Sequence, residues 1–254
     1  LKGTEERYLP VEGGEYIKEA KIGSAIADAD IILSLTHFKG HELTGFGGTL
    51  KNIGMGSGSR AGKMEMHSAG KPYVKEDRCI GCARCRNNCQ VKAPVITNGI
   101  AKIDHDVCVG CGRCIGVCPT DAIRAANDEA NDVLNRKIAE YTKAVLTGKP
   151  HFHMSLVIDI SPYCDCHSEN DVPIVPDVGM FASFDPVALD IACADAVNAQ
   201  PPVPGSKLFE STVPADHDHF HRVFPETDWM SCVDQAEKLG LGTRAYELIE
   251  LKLA

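Results

Sequence analysis

The chain has 254 residues, 44% of them hydrophobic and 24% charged, with a formal net charge of −9 at pH 7. That length suffices for one sizeable core plus a small second module, and no run approaches the roughly 18 apolar residues of a spanning helix, which excludes a membrane span. The excess acid lies in residues 151–254, where 17 acidic residues face 5 basic ones; this argues against a nucleic-acid partner, and with no apolar leader at the start the expected compartment is the cytoplasm.

In chain order, residues 15–22 (EYIKEAKI) alternate weakly as a strand does, residues 24–29 (SAIADA) suit a short helix, and residues 30–35 (DIILSL) form a short apolar strand. A glycine-rich stretch follows at 36–56, THFKGHELTGFGGTLKNIGMG. Past a cysteine-rich region, Leu134, Ile138, Tyr141 and Val145 recur on one helical face, and Gly148 and Pro150 end that helix. Tyr141 is expected in the core. Residues 153–160 (HMSLVIDI) read as a buried strand and 173–184 (PIVPDVGMFASF) as a further apolar segment. Asp185-Pro186 is an N-cap followed by proline at the first helical position, opening a helix over 187–199. Pro201, Pro202 and Pro204 form a linker, residues 231–239 a helix, and residues 246–251 (YELIEL) a closing strand.

Twelve cysteines would suit a disulfide framework only in a short secreted chain. Their spacing points elsewhere. Residues 79–89 (CIGCARCRNNC) and 108–118 (CVGCGRCIGVC) are both C-x-x-C-x-x-C-x-x-x-C, the bacterial ferredoxin run, and each has an Asp two positions upstream, Asp77 and Asp106. Three thiolates on a tight loop reach three irons of a cubane, and the fourth comes from the other repeat. The expected ligands are Cys79, Cys82, Cys85 and Cys118 for one [4Fe-4S] cluster and Cys108, Cys111, Cys114 and Cys89 for the other. Zinc is the competing metal for C-x-x-C pairs, but two identical four-cysteine runs favour iron and sulfide. Gln90 stands after the first run where such runs usually carry proline. The architecture expected is an α/β domain, an open mixed or parallel sheet with helices, built from residues 1–74 and 125–254, with an α+β ferredoxin-like 2[4Fe-4S] domain inserted at 75–124.

The stretch at 36–56, SRAGKMEMHS at 59–68, the Cys-Asp-Cys at 164–166 and PDVGMFASFDPVALD at 176–190 together resemble the iron–sulfur members of domain-of-unknown-function family 362. The resemblance covers nearly the whole chain. It implies an α/β domain carrying a two-cluster ferredoxin insertion, with no settled reaction. It also implies a further segment ahead of the residues matching LKGTEERY; if that segment supplies strands to the same sheet, an edge is left open here that a homodimer could cover.

The glycines at 36–56 fail the phosphate fingerprints: Ser57 stands where G-x-x-x-x-G-K-[ST] needs its first glycine, Met64 follows Lys63, and neither Gly45-Phe46-Gly47 nor Gly54-Met55-Gly56 continues as G-x-G-x-x-G. Backbone amides exposed by glycine, with Lys51, Arg60 and Lys63 nearby in sequence, could still bind a small anionic ligand. The bland alternative is that the glycines serve close packing and positive φ. His37 and His41, four apart after an apolar strand, would share one face of a helical turn and could bind a metal or move a proton. Cys164, Asp165, Cys166 and His167 form a second cluster able to hold a metal or offer a reactive thiolate. The resemblance favours function for Cys164 and Cys166. Cys193 sits among Ala and Ile as a core residue, Cys232 is uninformative, and HDHFH at 217–221 has a metal-like composition that an acidic solvated loop also explains.

The expected function is an iron–sulfur redox protein whose clusters pass electrons between a redox partner protein and a site formed by His37, Lys39, His41, Lys51, Cys164 and Cys166. The alternative is a non-catalytic electron carrier or assembly subunit with the α/β domain as a docking platform. A remoter one rests on Gly47-Gly48-Thr49-Leu50-Lys51, a GG-x-x-K run faintly similar to nickel-pincer lactate racemase proteins, which would make the α/β domain a cofactor-binding isomerase.

Overall fold

The computed structural model describes residues 5–67, 71–108, 113–120, 122–125, 130–166, 171–216 and 218–251. The strand expected over 15–22 begins only at residue 19. β1 (Glu6–Pro10) and β2 (Glu19–Gly23) form an antiparallel hairpin, and between them the main-chain N–H groups of Glu15, Tyr16 and Ile17 all donate to the Glu140 carboxylate, leaving none for a ladder. One helical turn, α1 (Ser24–Ala27), leads into β3 (Ile32–His37). The glycine-rich stretch then makes a tight ribbon, β4 (Lys39–His41) against β5 (Gly45–Gly47), followed by α2 (Thr49–Ser57) and α3 (Arg60–His67). Neither helix shows in the sequence pattern, because glycine disfavours helix in isolation. Packing overrides that propensity: a Cβ on Gly54 would lie 2.3 Å from the Ile138 carbonyl, so only glycine lets α2 come this close to the helix beneath it.

The cysteine-rich segment folds as β6 (Pro72–Val74), α4 (Arg84–Asn87), β7 (Pro94–Thr97), β8 (Ile100–Ile103), α5 (Arg113–Val117) and β9 (Ile123–Ala125). β6 pairs antiparallel with β9, and β7 with β8, around a small core of Cys85, Ala101, Cys114 and Ile123. Entry and exit strands are thus paired to each other, which closes the segment into a unit of its own.

Next come α6 (Asn131–Leu146), β10 (His151–Val157), β11 (Gly179–Ser183), α7 (Pro186–Asn198), α8 (His219–Val223) and α9 (Met230–Lys238). On α6, Leu134, Ile138, Tyr141 and Val145 are all buried, and the Tyr141 hydroxyl donates to Glu65, so the tyrosine is a core residue with its phenol pushed up by burial and by that carboxylate. Asp185 caps α7 by accepting from the N–H of Val187 and Ala188. Residues 246–251 form no strand: Leu248, Ile249 and Leu251 lie exposed, and Tyr246 is tied by its hydroxyl to Asp195 instead of to a sheet edge. Among the described residues no helix is long and apolar enough to cross a membrane.

The main sheet is mixed and has three strands in the order β11, β10, β3; β10 runs parallel to β3 and antiparallel to β11. Its polarity is inverted relative to the usual amphipathic strand. Small polar residues, Ser34, Thr36, His153 and Ser155, point to the buried face. There Ser34 bonds His153, Thr49 bonds Ser155, and Asn52 donates to Thr36, so each is satisfied by a neighbour or by α2. Leu33, Leu35 and Met180 point outward, Leu33 being 71% exposed, and Phe152 meets Phe184 on the same outer face at 4.9 Å.

Candidate functional site

Two chain segments more than a hundred residues apart meet at the carboxyl ends of β3 and β10. Phe38 donates its N–H to the Leu156 carbonyl, and Gly40 donates to Ser161 at 2.8 Å. A Cβ on Gly40 would stand 2.4 Å from the Pro162 carbonyl oxygen, so the β4 backbone lies directly against the segment leading to Cys164. Behind this seam the rings of Phe38, Phe46 and Phe220 pack against one another and Trp229 packs against Phe46, with centroids 4.8 to 5.8 Å apart, fixing the ribbon to the core.

The six expected site residues divide into two adjoining groups. In the first, Asp165 is gripped by His37, whose Nδ1 lies 2.9 Å from its carboxylate, and by Lys39, whose Nζ lies 3.3 Å away. Lys39 also donates to the His37 carbonyl, and His37 Nε2 faces the Ile158 carbonyl at 2.9 Å. Burial opposes ionisation of Asp165, but His37 and Lys39 outweigh it and hold the carboxyl below its usual range. The middle residue of Cys-Asp-Cys is therefore an anchor that fixes the turn carrying both thiols. In the second group, one donor atom from each of His41, Cys164 and Cys166 lies within 4.8 Å of the others, and Lys51 Nζ sits 3.3 Å from Cys164 Sγ.

The expectation that His37 and His41 share a helical face fails. They end consecutive strands, and His37 turns to Asp165 while His41 turns inward, 3% exposed. His41 Nδ1 accepts the N–H of Leu43 at 3.0 Å and of Thr44 at 3.3 Å. An acceptor at Nδ1 puts the proton of the neutral ring on Nε2. As it stands, His41 is a hydrogen-bond donor at its other nitrogen, and serving a metal there would cost it both main-chain bonds.

The two thiols differ. Burial pushes Cys164 up, but Lys51 and the Cys166 main-chain N–H outweigh burial and hold it below the usual thiol range. Burial and the neighbouring Cys164 raise Cys166 to about 11, although Cys166 itself is exposed. Cys164 is therefore the more acidic thiol of the pair. His67, on α3, belongs to the same electrostatic field: burial and then Lys51 lower its pKa. Lys51→Met is expected to slow alkylation of Cys164 at neutral pH by about tenfold, since a hydrogen bond to a charged group contributes about 1.5–3 kcal/mol. Peptide-resolved mass spectrometry after timed labelling checks this; an unchanged rate would mean that Lys51 does not sustain the thiolate.

The three cations expected to gather around an anion do not. Lys51 faces Cys164, whereas Arg60 and Lys63 line a separate solvent-open cleft with Glu5, Gly23 and Ser57. His167 and His217 lie outside the described residues. In the remainder of the HDHFH tract Asp218 caps α8 and receives the Trp229 indole N–H, His219 bonds the Gln200 carbonyl, and Phe220 is core. The tract starts a helix.

In the cysteine-rich unit, Cys79, Cys82, Cys85 and Cys118 line one pocket together with Ile96, Ala101 and Ile123. Main-chain N–H groups point at its sulfurs, Ala101 to Cys79 and Ala122 to Cys118, both at 3.3 Å. Four thiols around one space, with N–H donors on two of the sulfurs, fit a cubane cluster by donor type. Of the second set, Cys89 and Cys114 are buried and Cys108 is half-buried, while Cys111 lies outside the described residues.

No curated protein matches the chain. Residues 1–195 match a family profile described as Domain of unknown function (DUF362). The chain belongs to that family. The DUF362 match takes in both cysteine runs, the ribbon with Lys51 and the Cys-Asp-Cys turn; α8, α9 and the residues around them lie beyond it.

Sequence reading missed one residue that builds the DUF362 site. Asp190 on α7 is fully buried and accepts the N–H of Thr49 at 2.6 Å and of Leu50 at 2.9 Å, holding the start of the helix that carries Lys51. α7 carries both Asp190 and the exposed Asp195, and its sequence does not single out the one that is buried.

Proposed function

We propose that this DUF362 protein is an iron–sulfur redox protein, passing electrons through two [4Fe-4S] clusters between a redox partner protein and the Lys51–Cys164 site of its α/β part. The observation that carries the reading is the cavity shared by Cys79, Cys82, Cys85 and Cys118. A cysteine from the second run joins three from the first, as the exchange of fourth ligands between two clusters requires. When bound, such clusters supply one-electron transfer. The chain's own residues support this by offering thiols, by directing the N–H of Ala101 and Ala122 at two of them, and by lining the space with the apolar side chains of Ile96 and Ile123.

Iron and acid-labile sulfide are expected at about eight each per chain in anaerobically prepared protein, by the two-cubane rule, and at about four in Cys118→Ser. One or two zinc ions per chain with no sulfide would overturn the proposal.

A further inference from the structure

We infer that Cys164 and Cys166 form a reversible dithiol–disulfide couple that exchanges with the thiols or disulfides of a partner through the exposed Cys166 sulfur. The inference rests on the proposal above and deepens it by naming what the electrons meet on the α/β side.

Three observations carry it. The sulfurs are within 4.8 Å of each other on one turn, and that turn is held by the grip of His37 and Lys39 on Asp165, so the two thiols are kept side by side. Access is divided: Cys164 is buried at 5% exposure and Cys166 faces solvent, so an external sulfur meets Cys166 first. Charge is divided to match, with Lys51 beside the buried sulfur and Cys164 the more acidic of the two thiols. Cys193 and Cys232 are the contrast: both are pushed up by burial and by Asp190.

The exchange balances. An external thiolate attacks the Cys166 sulfur of the disulfide, the S–S bond breaks, and its electron pair stays on Cys164, which leaves as a thiolate beside Lys51. A low-pKa leaving thiol departs faster. In reverse, the Cys164 thiolate attacks the Cys166 sulfur of the mixed disulfide and expels the external thiolate. Reduction from within takes two electrons and two protons and gives both thiols; two one-electron carriers, when bound, would supply the electrons. One ring nitrogen of His41 lies within 4.8 Å of both sulfurs.

The test uses the full chain under anaerobic conditions, equilibrated in reduced and oxidised glutathione at varied ratio. The samples are quenched with acid, alkylated and read by peptide mass spectrometry, with iron and sulfide measured in parallel. The peptide spanning 164–166 is expected to lose and regain two hydrogens reversibly. Cys164→Ser is expected to accumulate glutathione on Cys166, and Lys51→Met to shift the equilibrium toward disulfide by about tenfold. If both thiols remain open to alkylation at every ratio while iron is intact, the inference fails and the iron–sulfur reading stands. A non-iron metal retained at one per chain and lost in Cys166→Ser overturns it in favour of a metal centre. A reversible disulfide in a chain without iron or sulfide supports the couple and sinks the cluster reading.

Discussion

Glu140→Ala is expected to destabilise the protein by about 3–5 kcal/mol, because several buried donors, each costing about 1–3 kcal/mol when unsatisfied, lose their acceptor. The Glu140 carboxylate is fully buried on α6 and accepts from Glu15 N at 2.7 Å, Ile17 N at 2.6 Å, Tyr16 N at 3.2 Å and the Gln235 amide at 2.8 Å. Three consecutive main-chain donors around one carboxylate form an anion-binding nest whose anion is covalently part of the protein. Alanine leaves those donors without an acceptor unless the loop over 11–18 lifts into water, and lifting exposes Val11 and Ile17, both 4% accessible now. Glu140→Gln keeps shape and one acceptor and is expected to fall between alanine and the parent. Urea melts of the three proteins decide it, and an alanine variant within about 1 kcal/mol of the parent would show that the nest is incidental.

The second large effect is pH-dependent and belongs to Asp190. Burial raises its pKa to about 6 against the opposing pull of the Leu50 and Thr49 N–H groups. A carboxyl with a raised folded-state pKa binds its proton more tightly when folded. Its contribution is fully present below the unfolded value near 4 and is lost as pH rises through about 6. Two units correspond to roughly 3 kcal/mol at about 1.4 kcal/mol per unit. The stability difference between the parent and Asp190→Asn should therefore fall by about that amount between pH 4 and 7, because asparagine does not titrate. A difference flat with pH would mean that the two N–H bonds and the start of α2 hold the carboxylate charged and that burial is not dominant. Either result bears on the site, since Lys51 rides on the turn that Asp190 holds.

Some of this was legible in the sequence for definite reasons. The ferredoxin spacing placed Cys118 with Cys79, Cys82 and Cys85, and the four line one pocket. α6 and α7 were legible because each carries a local signal, a buried stripe in one and Asp-Pro at the start of the other. The inward face of the sheet was not. Apolar runs at 30–35 and 153–160 suggested that their large residues would be buried, yet Leu33 and Leu35 point out while Ser34, Thr36, His153 and Ser155 point in. The partners that make this possible, Thr49 and Asn52, come from a helix that glycines hid. Glu140 and Asp190 escaped for the same reason: the donors they serve lie more than a hundred residues away, and no local pattern marks an acid as an acceptor for distant main chain.

At residue 40 the bond between the two halves of the site is a contact from which a side chain has been left out. Because the Gly40 backbone rests on the Pro162 carbonyl, the spacing of Lys51 and the Cys164 sulfur is set by the thickness of bare peptide at a point touching neither group. A single added carbon there would act as a shim, prying the 36–56 stretch from the 158–166 stretch. Thiol acidity would then change with every reactive group still in place, which makes this seam the adjustment screw of the site.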